Sequence, residues 1–230
     1  MSRLLTAHQP NYLPWLGLFH KVGQADVWVV AADVQFTKHG LINRNRIRTA
    51  AGWQWLTVPV RTRGRSLQSI REVEIAEDPS WRRKHWQTLQ GNYHRTPHFA
   101  EHADFLESVY AREWPYLIDL NLELCTYLLE QFGIEVEIRR SSTLALSPDR
   151  NQRLVDMVHA CNCDAYLAGG GGSKNYLDED LFRRAGIDCR FDSFAHPIYS
   201  QAFPGFEPSM TALDLLFNCG PASREILFHG

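Results

Sequence analysis

The run Val27-Trp28-Val29-Val30-Ala31 constrains the fold more than any other stretch of the chain. It is apolar without a break and rich in β-branched residues, so as a strand it has no face to give to water. A strand buried on both faces belongs in a parallel sheet with helices on either side. Leu4-Leu5-Thr6-Ala7 is a second short apolar run, and the amphipathic segment Leu18-Phe19-His20-Lys21-Val22 lies between the two. Further strands are read at residues 134–139, which alternate strictly, and at residues 164–168 and 188–192. The sequence thus predicts an α/β fold, a mostly parallel, Rossmann-like sheet flanked by helices.

The middle of the chain is helical. Asp78-Pro79-Ser80 opens a helix carrying Trp81, His85, Trp86 and Leu89 at helical spacing, and Thr96-Pro97 stops it. A second helix covers residues 99–110. A third follows Trp114-Pro115, carries Leu117, Leu120, Leu124, Tyr127 and Leu128 on one stripe, and ends at Gly133. No repeat, linker or low-complexity segment stands out. The chain reads as one α/β domain, residues 1–230, with a helical insertion at about residues 78–132.

Bulk properties exclude several function classes. A net charge of -2 argues against a nucleic-acid coat or a polybasic membrane binder. No apolar run reaches the roughly 18 residues of a membrane span. The first residues lack a signal peptide's apolar centre, so the cytoplasm is the expected compartment. The five cysteines are an odd number and are expected as thiols. His159-Ala160-Cys161-Asn162-Cys163 has no second ligand pair at zinc spacing, so no metal is assigned, and no cofactor is identified.

Candidate chemistry gathers where strands end. Open parallel sheets bind ligands beyond the carboxyl ends of their strands. His8 and Gln9 follow the first strand, and Tyr12 lies in the stiff stretch His8-Gln9-Pro10-Asn11-Tyr12-Leu13-Pro14-Trp15. The second strand is read over residues 26–36, with Asp33 and Gln35 near its end. A satisfied histidine in a rigid turn and a capping aspartate are the plainer alternatives. From Val34 to Arg71 there is no acid, while Lys38, Arg44, Arg46, Arg48, Arg61, Arg63, Arg65 and Arg71 are basic. Asn43-Arg44-Asn45-Arg46-Ile47-Arg48 puts its arginines on one side of an extended segment. Guanidinium forks bind phosphate bidentately, so a phosphate-bearing ligand is expected on this span, with a solvated face as the alternative.

Lys84 and His85 sit side by side on the first middle helix. Gly169-Gly170-Gly171-Gly172-Ser173-Lys174-Asn175-Tyr176 follows a short strand, and its glycines let backbone N–H groups approach a ligand. It matches neither the P-loop nor Gly-x-Gly-x-x-Gly. A helix over residues 177–185 is expected to point its positive end at that loop. Residues 196–201 read as irregular. Ser209 is the expected N-cap of a last apolar helix, on which Asp214 and Asn218 share a face.

These residues together resemble the WbqC-like family. The resemblance rests on His8-Gln9-Pro10-Asn11-Tyr12-Leu13-Pro14-Trp15-x-Gly17, Ala25-Asp26, Asp33-Val34-Gln35-Phe36, Asn43-Arg44-Asn45-Arg46-Ile47 and Leu56-Thr57-Val58-Pro59-Val60. Trp81-x-x-Lys84-His85, Tyr199-x-Gln201 and Asp214-Leu215-Leu216-Phe217-Asn218-x-Gly220 extend it over almost the whole chain. The resemblance implies a bacterial setting among genes for O-antigen and other surface polysaccharides. It also implies action on a sugar nucleotide, by attachment of an acyl or aminoacyl group to an amino sugar.

Three readings follow. In the first, an enzyme of that kind uses His8 as general base, with Asp33 orienting it or binding the amine. Lys84 or His85 stabilises the acyl oxygen. Gln9, Tyr12, Gln35, Asn43, Arg44, Arg46, Gly170, Gly171, Tyr176, Gln201, Asp214 and Asn218 bind the substrate. The partners are a phosphate-bearing small molecule and a carrier-bound acyl donor, and nucleic acid is not expected. In the second, the chain is a nucleotidyltransferase-like enzyme whose strand-end histidine contacts ATP phosphates. In the third, it is a non-catalytic scaffold of polysaccharide assembly that docks through Trp53, Trp55 and Trp81.

Overall fold

A computed structural model describes residues 2–65 and 67–230. In chain order its elements are β1 (Leu4–His8), α1 (Leu16–Val22), β2 (Val27–Val30), β3 (Arg44–Thr49), β4 (Gly52–Thr57), α2 (Ser80–Tyr93), α3 (Phe99–Ala111) and α4 (Leu117–Gln131). There follow β5 (Glu137–Arg140), α5 (Arg150–Ala160), β6 (Ala165–Ala168), α6 (Glu179–Arg184), β7 (Asp188–Phe191), α7 (Ala212–Cys219) and α8 (Ser223–His229). Contacts divide the chain into two compact units. The first joins the N-terminal residues through Gln9 to Gly17–Asp33 and Ile134–Ala195; the second joins Pro10–Leu16, Val34–Gly133 and His196–Gly230. Among the described residues no helix is long and apolar enough to cross a membrane.

The first unit is the expected α/β layer. Its five strands are all parallel, in the order β5-β2-β1-β6-β7. The apolar runs fill the middle of the sheet: β2 and β6 are buried throughout, whereas the edge strands β5 and β7 are partly exposed. Leu5, Val27, Val29 and Tyr166 pack with Val155 and Val158 of α5 and Phe182 of α6. Cys161 and Cys163 lie buried in this same core as free thiols. Two boundaries differ from the sequence reading. Strand β2 ends at Val30 and β5 starts at Glu137, because each spans only the residues that its neighbour can pair.

The strand order sets up the site. From β1 the chain passes to β2 and then β5 on one side, and only later to β6 and β7 on the other. The winding therefore reverses between β1 and β6. There the ladder is also short. Pairing of β1 with β2 continues to His8↔Val30, but pairing with β6 stops at Leu5↔Tyr166. The two central strands part company at the carboxyl end.

The second unit combines the antiparallel hairpin β3–β4 with α2, α3, α4, α7 and α8. Trp81, His85, Leu89 and Tyr93 recur every fourth residue or so and form the buried stripe of α2. Phe217 of α7 meets the rings of Tyr93 and Phe99 at 5.1 and 5.2 Å. Thr211, not Ser209, caps α7, its hydroxyl accepting from Leu213 N. Ser209 is held in a left-handed conformation at φ 59°, with its N–H donated to His196 Nε2.

The stretch after Gln9 belongs to this second unit and has almost no regular structure. Its carbonyls are satisfied one by one. Asn121 Nδ2 donates to Pro10 O, Cys125 Sγ to Asn11 O, Asn45 Nδ2 to Leu13 O and Ala212 N to Pro14 O. Leu13 sits at φ 44°, unfavourable for a non-glycine residue.

Phe182 is fully buried under the first unit's sheet. Truncation to Ala should cost about 3–5 kcal/mol, the usual range for a buried aromatic. Urea unfolding of Phe182→Ala at neutral pH measures it, and a loss under about 1 kcal/mol would contradict this packing.

Candidate functional site at the carboxyl edge of the parallel sheet

Three strand ends meet at the switch point. His8 closes β1, residues 169–172 follow β6, and Asp192 follows β7. The loop approaches the last strand so closely that Gly170 has no room for a side chain. A Cβ there would collide with the carbonyl oxygen of Asp192. The Asp192 N–H is donated to Ala168 O at 2.8 Å, which fixes the start of this contact.

His8 is half-buried. Its Nδ1 lies 2.7 Å from the Gln9 carbonyl, which can only accept, so Nδ1 carries the proton and Nε2 the lone pair. Burial, and then the charge of Lys21, lower its pKa to about 3 against that hydrogen bond. Lys21 lies on α1 and is only 5% exposed, with Nζ donating to Ala7 O at 3.1 Å. Burial lowers its pKa to about 8, against the pull of Asp192. The Asp192 carboxylate is itself buried and accepts from Gln24 Nε2 at 3.0 Å, with His20 Nδ1 at 2.8 Å. Burial pushes this carboxyl up, but those two partners and the Lys21 charge hold it below its ordinary range.

Asp33, in the turn after β2, accepts from Ser141 Oγ beyond β5 and from the Arg153 guanidinium of α5. Burial acts against the carboxylate, yet these donors keep its pKa low. His8 therefore takes its orientation from Gln9, while Asp33 is engaged with Ser141 and Arg153. Gly171 is exposed, and Tyr176 holds Arg150 over its ring at 3.3 Å. The helix after this loop begins only at Glu179 and is six residues long. Asp178 already caps it through Leu181 N, so its N-terminus does not open onto the glycines as the sequence reading expected.

The other sequence candidates lie in the second unit. Tyr12 is fully buried, its hydroxyl bridging His85 Nδ1 at 2.8 Å and the Tyr110 hydroxyl at 2.6 Å. Burial lowers the His85 pKa to about 4. Lys84, next to it, is exposed, as is Gln35, whose main chain bridges to Ser69. Asn43 is buried and donates to Val58 O. Arg44 stacks on Trp55 at 4.3 Å and Arg46 on Trp53 at 5.0 Å, on the open face of the hairpin. Asp214 is fully buried and accepts from Tyr93, Tyr199 and Gln201. Burial raises its pKa against those bonds and the Arg48 charge. Gln201 and Asn218 also line a cleft of about 700 Å³.

Not all of the acid-free span is available to an anion. Arg61 pairs with Glu74 and Glu77, and Arg65 with Glu74, acids that lie just past the span. Of the three tryptophans considered for docking, Trp53 and Trp55 are exposed but Trp81 is buried. Among the described residues no cluster of three His, Cys, Asp or Glu side chains could hold a metal.

The sequence reading passed over Lys21 and Asp192. One signal was present for the first: Lys21 lies three residues after Leu18, on the face that α1 buries. Nothing in the sequence brought Asp192 to His20.

Two outcomes follow from this geometry. Gly170→Ala must displace the loop from Asp192 and should lower stability by about 1–3 kcal/mol, read by thermal melting. His8 and His85 both have folded pKa values below the unfolded 6.5, so the unfolded chain binds more protons in acid. Their contribution is complete above about 6.5 and declines as the pH falls toward 4. Urea unfolding at pH 7 and pH 4.5 should show that decline, and both imidazoles should stay neutral in NMR titrations down to pH 5. A midpoint near 6.5 for either ring would contradict its placement.

Residues 9–226 match the model of the WbqC-like protein family. The chain is also similar to the uncharacterised protein Rv1507c of Mycobacterium tuberculosis. The two are 36% identical over 221 residues, 95% of this chain and 95% of that protein. No solved structure matches. The agreement runs from the residue after His8 almost to the end of α8, and the chain belongs to the WbqC-like protein family.

Proposed function

We propose that this chain transfers an acyl or aminoacyl group to the amine of a nucleotide-linked amino sugar, in the assembly of a bacterial surface polysaccharide. The observation that supports it is the switch point itself. His8 and residues 169–172 stand on either side of it, where open parallel sheets bind ligands. The nucleotide's phosphates lie against the exposed backbone of Gly171 and Gly172. The sugar's amine faces His8.

In this reading His8 Nε2 takes the proton as the amine attacks the donor's acyl carbon, and the donor's carrier leaves with the electron pair of the broken bond. At about 3 the free imidazole is a weak base. Bound phosphate adds negative charge beside it and raises its basicity, so that substrate binding switches the base on. Direct transfer is favoured over a thioester enzyme by the cysteines. Burial raises the pKa of Cys161 and Cys163, and that of Cys125 most of all, which keeps them as thiols.

A second reading has its own support. The order β5-β2-β1-β6-β7 is 3-2-1-4-5 in order of appearance, with a histidine after the first strand. The same layout serves nucleotidyltransferase-like enzymes that bind ATP there, and these release pyrophosphate.

Thermal shift with nucleotide-linked amino sugars and with ATP separates the two, because a specific ligand stabilises the folded state by mass action. The amino-sugar nucleotides should stabilise the chain and become acylated when a carrier-bound donor is added. Pyrophosphate release from ATP would favour the second reading. His8→Ala should abolish turnover, by at least about 100-fold, while retaining the melting temperature and ligand binding. Full activity in that variant would remove the base role.

A further inference from the structure

We infer that Lys21 is the cation that holds a phosphate group of the ligand, its ammonium forming the floor of an anion site where β1 and β6 part. This deepens the reading of the switch point given above and rests on it for the ligand's nucleotide part only.

The backbone places Lys21 there. Carbonyls alternate sides along a strand. Those of Leu4 and His8 accept from Asp26 N and Ala31 N, on the β2 side. That of Ala7 is therefore turned toward β6. The β1–β6 ladder has already stopped at Leu5↔Tyr166, so no strand reaches the Ala7 carbonyl. Lys21 Nζ takes it instead, at 3.1 Å. The ammonium thus fills the gap where the two central strands part, close enough to His8 to lower its pKa.

The ammonium is also under-compensated. It has three N–H donors, and among the described residues one protein acceptor is on hand. No carboxylate forms an ion pair with it among the described residues. The nearest acid to act on it, Asp192, is occupied by His20 and Gln24. Taking an unpaired ammonium out of water is costly, and a protein that only needed to fill this face of α1 could use an apolar residue at lower cost. The groups that face it are His8 from β1 and Asp192 after β7, with His20 and Gln24 holding the latter. Asp192 acts on the ammonium through space without an ion pair, and neither group fills its spare N–H donors. A phosphate does, as a point-charge partner of the kind a lysine suits. The glycines that follow β6 add backbone N–H groups.

The test uses the whole chain and inorganic pyrophosphate, by isothermal titration calorimetry, with melting temperatures alongside. The wild type should bind pyrophosphate. Lys21→Met should lose about 10- to 100-fold in affinity, the size of one charge-assisted hydrogen bond, while melting at or above the wild-type temperature. Lys21→Gln keeps a donor for Ala7 O without the charge and should show the same loss, which covers the case of a methionine variant that does not fold. A structural lysine gives the opposite pattern: a lower melting temperature with unchanged affinity, and that result overturns the inference. So does a wild type that binds no pyrophosphate. If pyrophosphate binds through Lys21 but no nucleotide-linked sugar does, the anion site stands and the transfer reading falls. If such sugars bind equally well to Lys21→Met, the reverse holds.

Discussion

The early end of the β1–β6 ladder is the constraint on which the first unit's chemistry depends. A parallel sheet satisfies its backbone only while neighbouring strands keep their register. Here the two central strands are paired for two residues, Leu4↔Ala165 and Leu5↔Tyr166, and then diverge. Side chains complete the ladder that the backbone abandons. Thr6 Oγ1 donates to Leu167 O and Lys21 Nζ to Ala7 O. Each replaces a strand contact with a buried side-chain donor. The opening is thus part of the hydrogen-bond pattern, and it falls where the reversal of winding already makes a cleft.

Much of the fold was legible because it rests on binary pattern. The run at Val27 and the shorter one at Leu4 became the two central strands, β2 and β1, and the stripes from Trp81 and Leu117 became buried helix faces. What the pattern does not encode is pairing. Phe36 was read into the second strand, yet the chain leaves the sheet after Val30, where β5 stops matching it. The capping of α7 was misread for a related reason. Ser209 has the right chemistry, but its N–H is committed to His196 and its backbone to a left-handed turn. Thr211 is left to do the capping.

The candidate site was legible in part. Strand-end logic pointed to His8, Asp33 and the glycine loop, all of which lie on the carboxyl edge of the first unit's sheet. It could not see Lys21 and Asp192, because their importance comes from which polar groups tertiary packing leaves together. It also gave binding roles to Tyr12, Asn43 and Asp214, whose polar atoms the structure engages with other protein groups. Polar residues in irregular sequence attract a functional reading. Irregular backbone in a core needs such residues for its own carbonyls, as Pro10 and Leu13 show.

Satisfaction is what separates the two kinds of buried charge in this chain. Asp214 accepts from Tyr93, Tyr199 and Gln201, and nearby Arg48 spends its guanidinium on Gln201 and on the carbonyls of Thr49, Gly52 and Pro204. Every strong donor there has an acceptor, so the network needs nothing from outside, and its work is to pin the irregular segment before α7 to the hairpin and α2. Among the described residues Lys21 has one acceptor and no ion-pair partner, and Asp192 acts on it only through space. A buried group with unmet hydrogen-bonding capacity is stable only if the rest of the fold carries its cost, and folds rarely retain that cost without a ligand to relieve it. By that criterion the network of Asp214 and Arg48 is architecture. The ammonium beside His8 keeps hydrogen-bonding capacity that the described residues leave unmet.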